Sequence, residues 1–380
     1  MNQAENIIHQ AKEFADKNIR PFAAQFELEE KIPPSLIKKM AERGYLAAPF
    51  PKEYCGLGLN PVSYGIFTEE IGKADSCTRV LLTVHTSLVG ETLLRWGSEE
   101  QKKKYIPSMA KGETIAAFGL TEPEVGSDAG NIQTSYYKKN DKFIINGRKK
   151  WISLGDIADL ILVAASNDGK VSTFLVERKF GGVTTKPIKG LLAGKATHIA
   201  EIGLNNVEVP EENLLGKLGE GFAYIINTAL DYGRYSIAWA GVAIAQAAIE
   251  QMVTYARTRS QFGKKLCNFQ LIQGIIADAI TKVHAARALC LRAGQLRENK
   301  DKDAIMETTI AKYFTSKIAM QVTTEAVQVL GGNGCYNKYP VERLFREAKV
   351  LEIIEGTSQI QQEIISRYGL RKYYKPSLKV

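Results

Sequence analysis

Over the first hundred positions, apolar residues recur at helical spacing. Ile7, Ala11, Phe14, Ala15 and Ile19 fall on one helix face. Pro34 opens a second helix, which Ile37, Met40 and Ala41 continue toward a stop at Gly44. Ser98-Glu-Glu-Gln forms a capping-box pattern ahead of Tyr105 and Ile106. The period then shortens. Lys142-Phe-Ile-Ile-Asn-Gly-Arg reads as a strand running into a hairpin turn at Asn146-Gly147. Residues 160–165 form a short buried apolar run, residues 172–177 and 200–210 are β-rich, and Gly181, Gly182 and Gly190 punctuate them. From about residue 219 the helical period returns. Tyr235 to Arg257 is apolar on most faces and belongs inside a bundle. Gln270 to Glu298 and Ile305 to Leu330 follow, and Gly331-Gly-Asn-Gly334 breaks the last helix. This order predicts an α+β chain with an N-terminal α-helical bundle at 1–113, a central antiparallel β-barrel or sandwich at 114–217, and a C-terminal four-helix bundle at 218–380.

The 380 residues, 45% hydrophobic and 24% charged, are ordinary globular usage with length enough for a large core. Only Lys372 to Val380 reads as a disordered tail. The longest apolar run, Ile237 to Ile249, is too short to cross a bilayer and reads as a buried helix, so no membrane is expected. Met1 to Lys17 lacks the features of a signal peptide, which makes a cytoplasmic location the expectation. Five scattered cysteines without CxxC spacing and four scattered histidines support neither a disulfide framework nor a metal site. A net charge of +9 suits a solvated surface, or attraction to a phosphorylated cofactor or an acidic carrier protein. No reading helix or aromatic–basic stripe supports nucleic acid.

Four segments could carry chemistry. In Phe118-Gly-Leu-Thr-Glu-Pro-Glu-Val-Gly-Ser-Asp128, proline and glycine force an irregular path that leaves backbone donors for a ligand, although a polar turn has the same composition. In Lys149-Lys-Trp-Ile-Ser153, Trp151 offers a slab for a planar ring, or simply half-buries in a strand. Arg257 to Lys265 could grip phosphate, or be a solvated helix end. In Val350 to Gln361, Glu355 follows two isoleucines and precedes Gly356. A carboxylate in an apolar pocket suits a base working near neutral pH, whereas a carboxylate at that place could also cap a helix beginning at Thr357.

Together these segments resemble the acyl-CoA dehydrogenase family. The resemblance covers essentially the whole chain and rests on T-E-P-x-x-G-S-D, K-x-W-I-S, R-x-Q-F-G, Q-V-L-G-G-N-G and E-G-T-S-Q-I-Q in that order. It implies non-covalent FAD and a homo-oligomer, a dimer or a tetramer built as a dimer of dimers. Phe118, Leu120, Thr121, Gly126 and Ser127 would border the flavin, Ser127 also facing the thioester arm. Trp151, Ile152 and Ser153 would surround the isoalloxazine. Arg259, Gln261, Phe262, Phe269 and Gln270, with Gln328, Val329, Gly331 and Gly332, would hold the ADP half of an FAD bound largely by a neighbouring subunit. Thr357 and Gln359 would touch the cofactor beside the base, and Asp231, Arg234 and Gly356 would face the substrate. Glu355 matches the family's usual base. Gly233 stands where some members carry that carboxylate instead, so the alternative position is excluded. The implied reaction removes an α-proton to Glu355 and passes a hydride from the β-carbon to flavin N5.

The chain departs from the family pattern at Leu154, Tyr232, Cys335 and Ile354. Cys335 reads as a small buried residue rather than a redox group. The stretches around His85, Trp96, Trp239, Cys335 and Glu355 resemble a narrower subgroup, which oxidises small acyl groups on an acyl carrier protein in polyketide and nonribosomal peptide biosynthesis. Its members form hydroxymalonyl-, methoxymalonyl- and aminomalonyl-carrier proteins. The favoured expectation is therefore a C3 hydroxyacyl or aminoacyl group on a carrier protein. The alternatives are a short-chain acyl-CoA substrate, an oxygen-using flavin oxidase or monooxygenase on the same fold, and a non-catalytic acyl-binding scaffold. The sequence leaves the electron acceptor unknown.

Overall fold

The computed structural model describes residues 2–375; the end of the expected tail, 376–380, lies outside the described residues. The chain forms two compact units, Met1–Ser236 and Ile237–Val380.

The first unit opens with helices α1 (Gln3–Asn18), α2 (Ala23–Glu29), α3 (Pro34–Glu42), α4 (Pro61–Ala74) and α5 (Ser76–Leu81). A π-helical stretch, Leu82–Glu91, leads to α6 (Thr92–Trp96) and α7 (Glu99–Ala110). The capping residues perform as their chemistry dictates: Ser98 Oγ accepts from the Gln101 amide while Gln101 Oε1 accepts from the Ser98 amide. Ala11, Phe14, Ala15 and Ile19 are buried, whereas Ile7 packs only at the margin of that core.

Eight strands follow: β1 (Ala116–Gly119), β2 (Ser135–Lys139), β3 (Lys142–Ile152), β4 (Leu160–Asn167), β5 (Lys170–Glu177), β6 (Val183–Pro187), β7 (Ala200–Pro210) and β8 (Leu214–Leu215). They form one sheet in the order β6-β7-β3-β2-β4-β5-β8, with β1 also on β4. The expected antiparallel pairing holds except along β4, where β1 and β2 both run parallel. Ala116–Gly119 pairs with residues 160–163 and Ser135 with Ser166, so the two strands dock one after the other along the same buried strand. Residues 120–134 loop out between them, which makes the first chemical segment an excursion from the sheet's interior.

Asn146-Gly147 is not a hairpin turn. It lies inside β3 at a register shift, and the β2–β3 turn falls at Asn140-Asp141, with Asn140 at φ 55°. Gly147 is required for close approach, because a Cβ there would sit 2.5 Å from Thr134 Oγ1. A bulge and a tight turn both favour glycine, so the dipeptide alone does not separate them.

Helix α8 (Asn227–Thr258) continues a π-helical turn, Gly221–Ile226. Together they make 38 residues, longer than the apolar run suggested and long and apolar enough to cross a bilayer. However, 72% of the qualifying window is buried inside the fold, which marks a core helix. The second unit adds the short strands β9 (Ser260–Gln261) and β10 (Lys264–Lys265) and helices α9 (Gln270–Glu298), α10 (Ala304–Leu330), α11 (Val341–Leu351) and α12 (Ser358–Lys372). Helix α10 packs against α9, α11 and α12. It also meets α8 so closely that a Cβ on Gly241 would lie 2.7 Å from the Thr315 backbone.

Candidate active site

In the first unit, the loop after β1 is held by a buried ion pair. Lys149 Nζ donates to Glu122 Oε1 at 2.6 Å and to Leu120 O at 3.1 Å. The same carboxylate accepts from the amides of Gln133 (2.6 Å) and Thr134 (2.9 Å). Lys149 is 0% exposed and Glu122 is 4% exposed. Burial pushes the Lys149 ammonium down to about 8 against the pull of Glu122. Burial also raises the Glu122 carboxyl, but Lys149 and the hydrogen bonds outweigh it and hold the group below the ordinary value. The Lys150 amide donates to Thr121 O at 2.9 Å, so strand β3 grips the loop at several points.

The next residue, Trp151, has φ 62° and remains 50% exposed. It occupies the bulge between Lys149, opposite Ile202, and Ile152, opposite Ala200. A bulge re-aims a side chain, and a left-handed tryptophan persists only where its surroundings over-determine it. Leu120 and Ile152 bury their side chains, Phe118 and Thr121 are half-buried, Ser153 is half-buried, and Gly126 and Ser127 are exposed. Asp231 (buried) and Arg234 (half-buried) lie about one turn apart on α8.

The N-terminal helices reach this loop through a histidine. His85 Nδ1 accepts from the Ala116 amide at 3.1 Å, and Nε2 donates to Met109 O at 3.2 Å. Burial lowers its pKa to about 4, so it serves as a neutral bridge fixing the start of β1.

In the second unit, the basic segment is a hairpin rather than a helix end. Phe262 and Gly263 both have positive φ, 49° and 77°, as a two-residue turn between β9 and β10 requires. Phe262 is 94% exposed, Arg259 and Gln261 are exposed, and Phe262 meets Phe269 edge-on at 6.4 Å. Lys264 lies over the Phe269 ring at 4.2 Å. Gln270 starts α9. At the end of α10, Gln328 is exposed and Val329 buried, and Gly331 turns the chain with φ 60°. Cys335 is exposed, contrary to expectation. Gly334 packs so tightly on Val327 that the next side chain is turned outward.

Glu355 has φ 55° and Gly356 φ 90°. The helix cap is Thr357, whose side chain accepts from the Ile360 amide at 3.3 Å, so the cap role falls to Thr357 rather than Glu355. Gly356 O accepts from Lys312 Nζ at 2.7 Å and Gln361 Nε2 at 3.0 Å, and Glu355 O accepts from Gln361 Nε2 at 3.1 Å. Gln359 is exposed.

Sequence reasoning missed Glu122, Lys149, His85, Lys312 and Gln361 as site supports. For Lys312 the available signal was its place among small residues, Ala311-Lys312 with Thr315, Ser316 and Ala319. A cavity of about 860 Å³ lined by Trp96, Gln101, Tyr105, Leu214 and Tyr224 contains none of the site residues predicted from sequence.

In each unit, the residues present fit part of FAD. A half-exposed tryptophan offers a flat face, Arg259 offers a guanidinium for phosphate, and Gly126, Gly331 and Gly332 have nothing within 4 Å of a would-be Cβ, leaving room for close approach.

Three family models decide the identity: the acyl-CoA dehydrogenase N-terminal domain matches residues 2–113, the middle domain 117–207 and the C-terminal domain 219–370. The chain belongs to the acyl-CoA dehydrogenase family. As a member, it is an FAD-dependent oxidoreductase of acyl thioesters. An acyl-CoA dehydrogenase of Bacillus subtilis (strain 168) is 42% identical over 364 residues, covering 94% of this chain and 96% of the relative. Butyryl-CoA dehydrogenase from Megasphaera elsdenii superposes with a TM-score of 0.94 at 33% identity, covering 98% of this chain and 99% of that one. The prolyl acyl carrier protein oxidase AnaB superposes with a TM-score of 0.91 at 28% identity, covering 97% and 99%.

Proposed function

We propose that this acyl-CoA dehydrogenase oxidises a short-chain acyl-CoA across its α,β bond, with Glu355 as the base. The observation that carries the base assignment is the left-handed Glu355-Gly356 turn, held by buried donors and relieved of helix capping by Thr357. Likeness to butyryl-CoA dehydrogenase supports the short acyl group.

In this reading Glu355 removes the α-proton, and the backbone amide beside it helps polarise the thioester carbonyl where negative charge develops. FAD supplies the acceptor for the β-hydride. Trp151 and Ser153 cover the ring, and Phe118, Thr121, Gly126 and Ser127, with the backbone of Leu120 and Ile152, shape the loop beside it. Asp231, Arg234 and Gly356 face the substrate arm. The hairpin Arg259–Gln261–Phe262, with Phe269, Gln270, Gln328, Val329, Gly331 and Gly332, binds the ADP half, and Thr357 and Gln359 border the cofactor. Exposure of Phe262 and of about half of α9 supports a homo-oligomer in which a second copy covers them. The working domains are 1–113, 114–217 and 218–380.

A carrier-protein substrate is the second reading. It is supported by the likeness to AnaB and by the departures at Tyr232, Cys335 and Ile354. Anaerobic flavin bleaching with butyryl- and octanoyl-CoA against glyceryl- and seryl-carrier protein separates the two. Bleaching by butyryl-CoA supports the proposal, and bleaching by a carrier-protein thioester alone overturns it. Stoichiometric peroxide release in air would move the chain to the oxidase class.

A further inference from the structure

We infer that Lys312 and Gln361 form a clamp on the Glu355-Gly356 turn, which positions the carboxylate and favours its proton-accepting form. The inference rests on the reading of Glu355 as the base.

Two consecutive left-handed residues make this turn, and only the second is glycine. A left-handed non-glycine residue costs about 1–2 kcal/mol and persists only where contacts over-determine it. Those contacts are specific. Gln361 Nε2 reaches both Glu355 O and Gly356 O, and Lys312 Nζ reaches Gly356 O. The Ser358 amide closes the turn from the other side on Glu352 O at 2.9 Å. Lys312 and Gln361 are both fully buried, so neither trades these bonds for water.

A buried ammonium is a costly way to hold a carbonyl, since a neutral amide would serve. Its charge, however, falls at the residue next to Glu355, where an opposite charge in low dielectric favours a carboxylate over the acid. The N-terminus of α12 acts in the same direction.

Many other charged and titratable groups on the surrounding helices have partners of their own; among the described residues of α10 and α11, Glu325 and Arg343 are the charged groups without a side-chain hydrogen bond or ion pair. On α11, Lys349 pairs with Glu352 and Arg346 with Glu342. On α12, Glu363 pairs with Arg367. On α10, Tyr313 OH takes Lys317 and Gln362, and Glu307 pairs with Arg292 of α9. Arg297 of α9 bonds Thr308. Glu347 of α11 is buried and also engaged.

The test uses FAD-loaded protein and four variants. Lys312→Gln keeps a donor and removes the charge, and Lys312→Met removes both. Gln361→Met removes the second arm, and Glu355→Gln removes the base. FAD content and Tm control for folding. The readouts are the pH profile of anaerobic reduction by butyryl-CoA, and hydrogen exchange of the amides from Gly356 to Ile360 without substrate. For Lys312→Gln we expect FAD content and KM near wild type, a rate about tenfold lower at neutral pH, and the acid limb about one unit higher. Loss of the positive charge raises the carboxyl pKa, so the active form appears only at higher pH. For Gln361→Met we expect exchange about tenfold faster with the limb in place.

An unmoved limb in both Lys312 variants, with exchange unchanged in Gln361→Met, overturns the clamp. Should the Lys312 variants fail to fold, exchange in Gln361→Met decides. Wild-type reduction by Glu355→Gln sinks the base reading and the clamp with it. An inert Glu355→Gln beside wild-type-like clamp variants sinks the clamp alone.

Discussion

The loop after β1 and the Glu355-Gly356 turn use the same device with different chemistry. In each, a fully buried lysine holds a backbone carbonyl of irregular chain: Lys149 on Leu120 O and Lys312 on Gly356 O. In each, the site side chain carried nearby, Trp151 or Glu355, has left-handed backbone. Lys149 meets the Glu122 carboxylate at 2.6 Å, and that carboxylate ties two further amides. It works as a structural brace. Lys312 is aimed at the residue beside a proposed base, where its charge bears on protonation. The comparison teaches that a buried charge has to be read together with what its contacts position.

The brace is the easier half to break. Lys149→Met leaves Glu122 buried without its cation, and losing one partner of a buried pair costs ~3–5 kcal/mol. Denaturant midpoints and FAD retention should both fall. A loss below about 1 kcal/mol would show that the pair does not hold the loop.

Next, His85→Leu strands the Ala116 amide and Met109 carbonyl and should cost about 2 kcal/mol in chemical denaturation, with an unchanged denaturant slope.

A smaller effect comes from Trp151→Gly. It relieves a left-handed residue, so apo-protein stability should hold or rise by up to about 1 kcal/mol, while FAD dissociates more readily. A fall in apo stability would mean that the tryptophan packs structurally and is not poised for a ring.

The smallest effect is on pH. Lys149 loses its proton near 8 in the folded chain and near the ordinary lysine value of 10.5 when unfolded. The unfolded state therefore binds more protons in that window, and this group's contribution to stability rises with pH there. The Tm difference between wild type and the Glu122→Leu/Lys149→Met double variant should move in favour of wild type from pH 7.5 to 9.5. The opposite drift would contradict the direction of the shift.

Much of the fold was legible in the sequence, because helices and strands write different periods. Phe14 and Ala15 lie on the buried face of α1, and residues 160–165 form the sheet's buried strand. Asn146-Gly147 misled because turns and bulges demand the same residues. The β4 parallel pairings were hidden because pairing partners are set by tertiary register. Among the proposed site residues, Trp151, Phe262 and Glu355, which motif order singled out, all prove to be left-handed. The supports Lys149, Lys312 and His85 stayed hidden because a lysine or histidine is normally solvated, and only the packing around it reveals that it is enclosed.

The central claim, Glu355 as the base of an FAD-dependent acyl-thioester dehydrogenase, is tested most directly by anaerobic reduction with butyryl-CoA. Wild type should bleach, whereas Glu355→Gln, with equal FAD content and Tm, should reduce about 10²–10⁴-fold more slowly. Bleaching of Glu355→Gln at the wild-type rate would contradict the account.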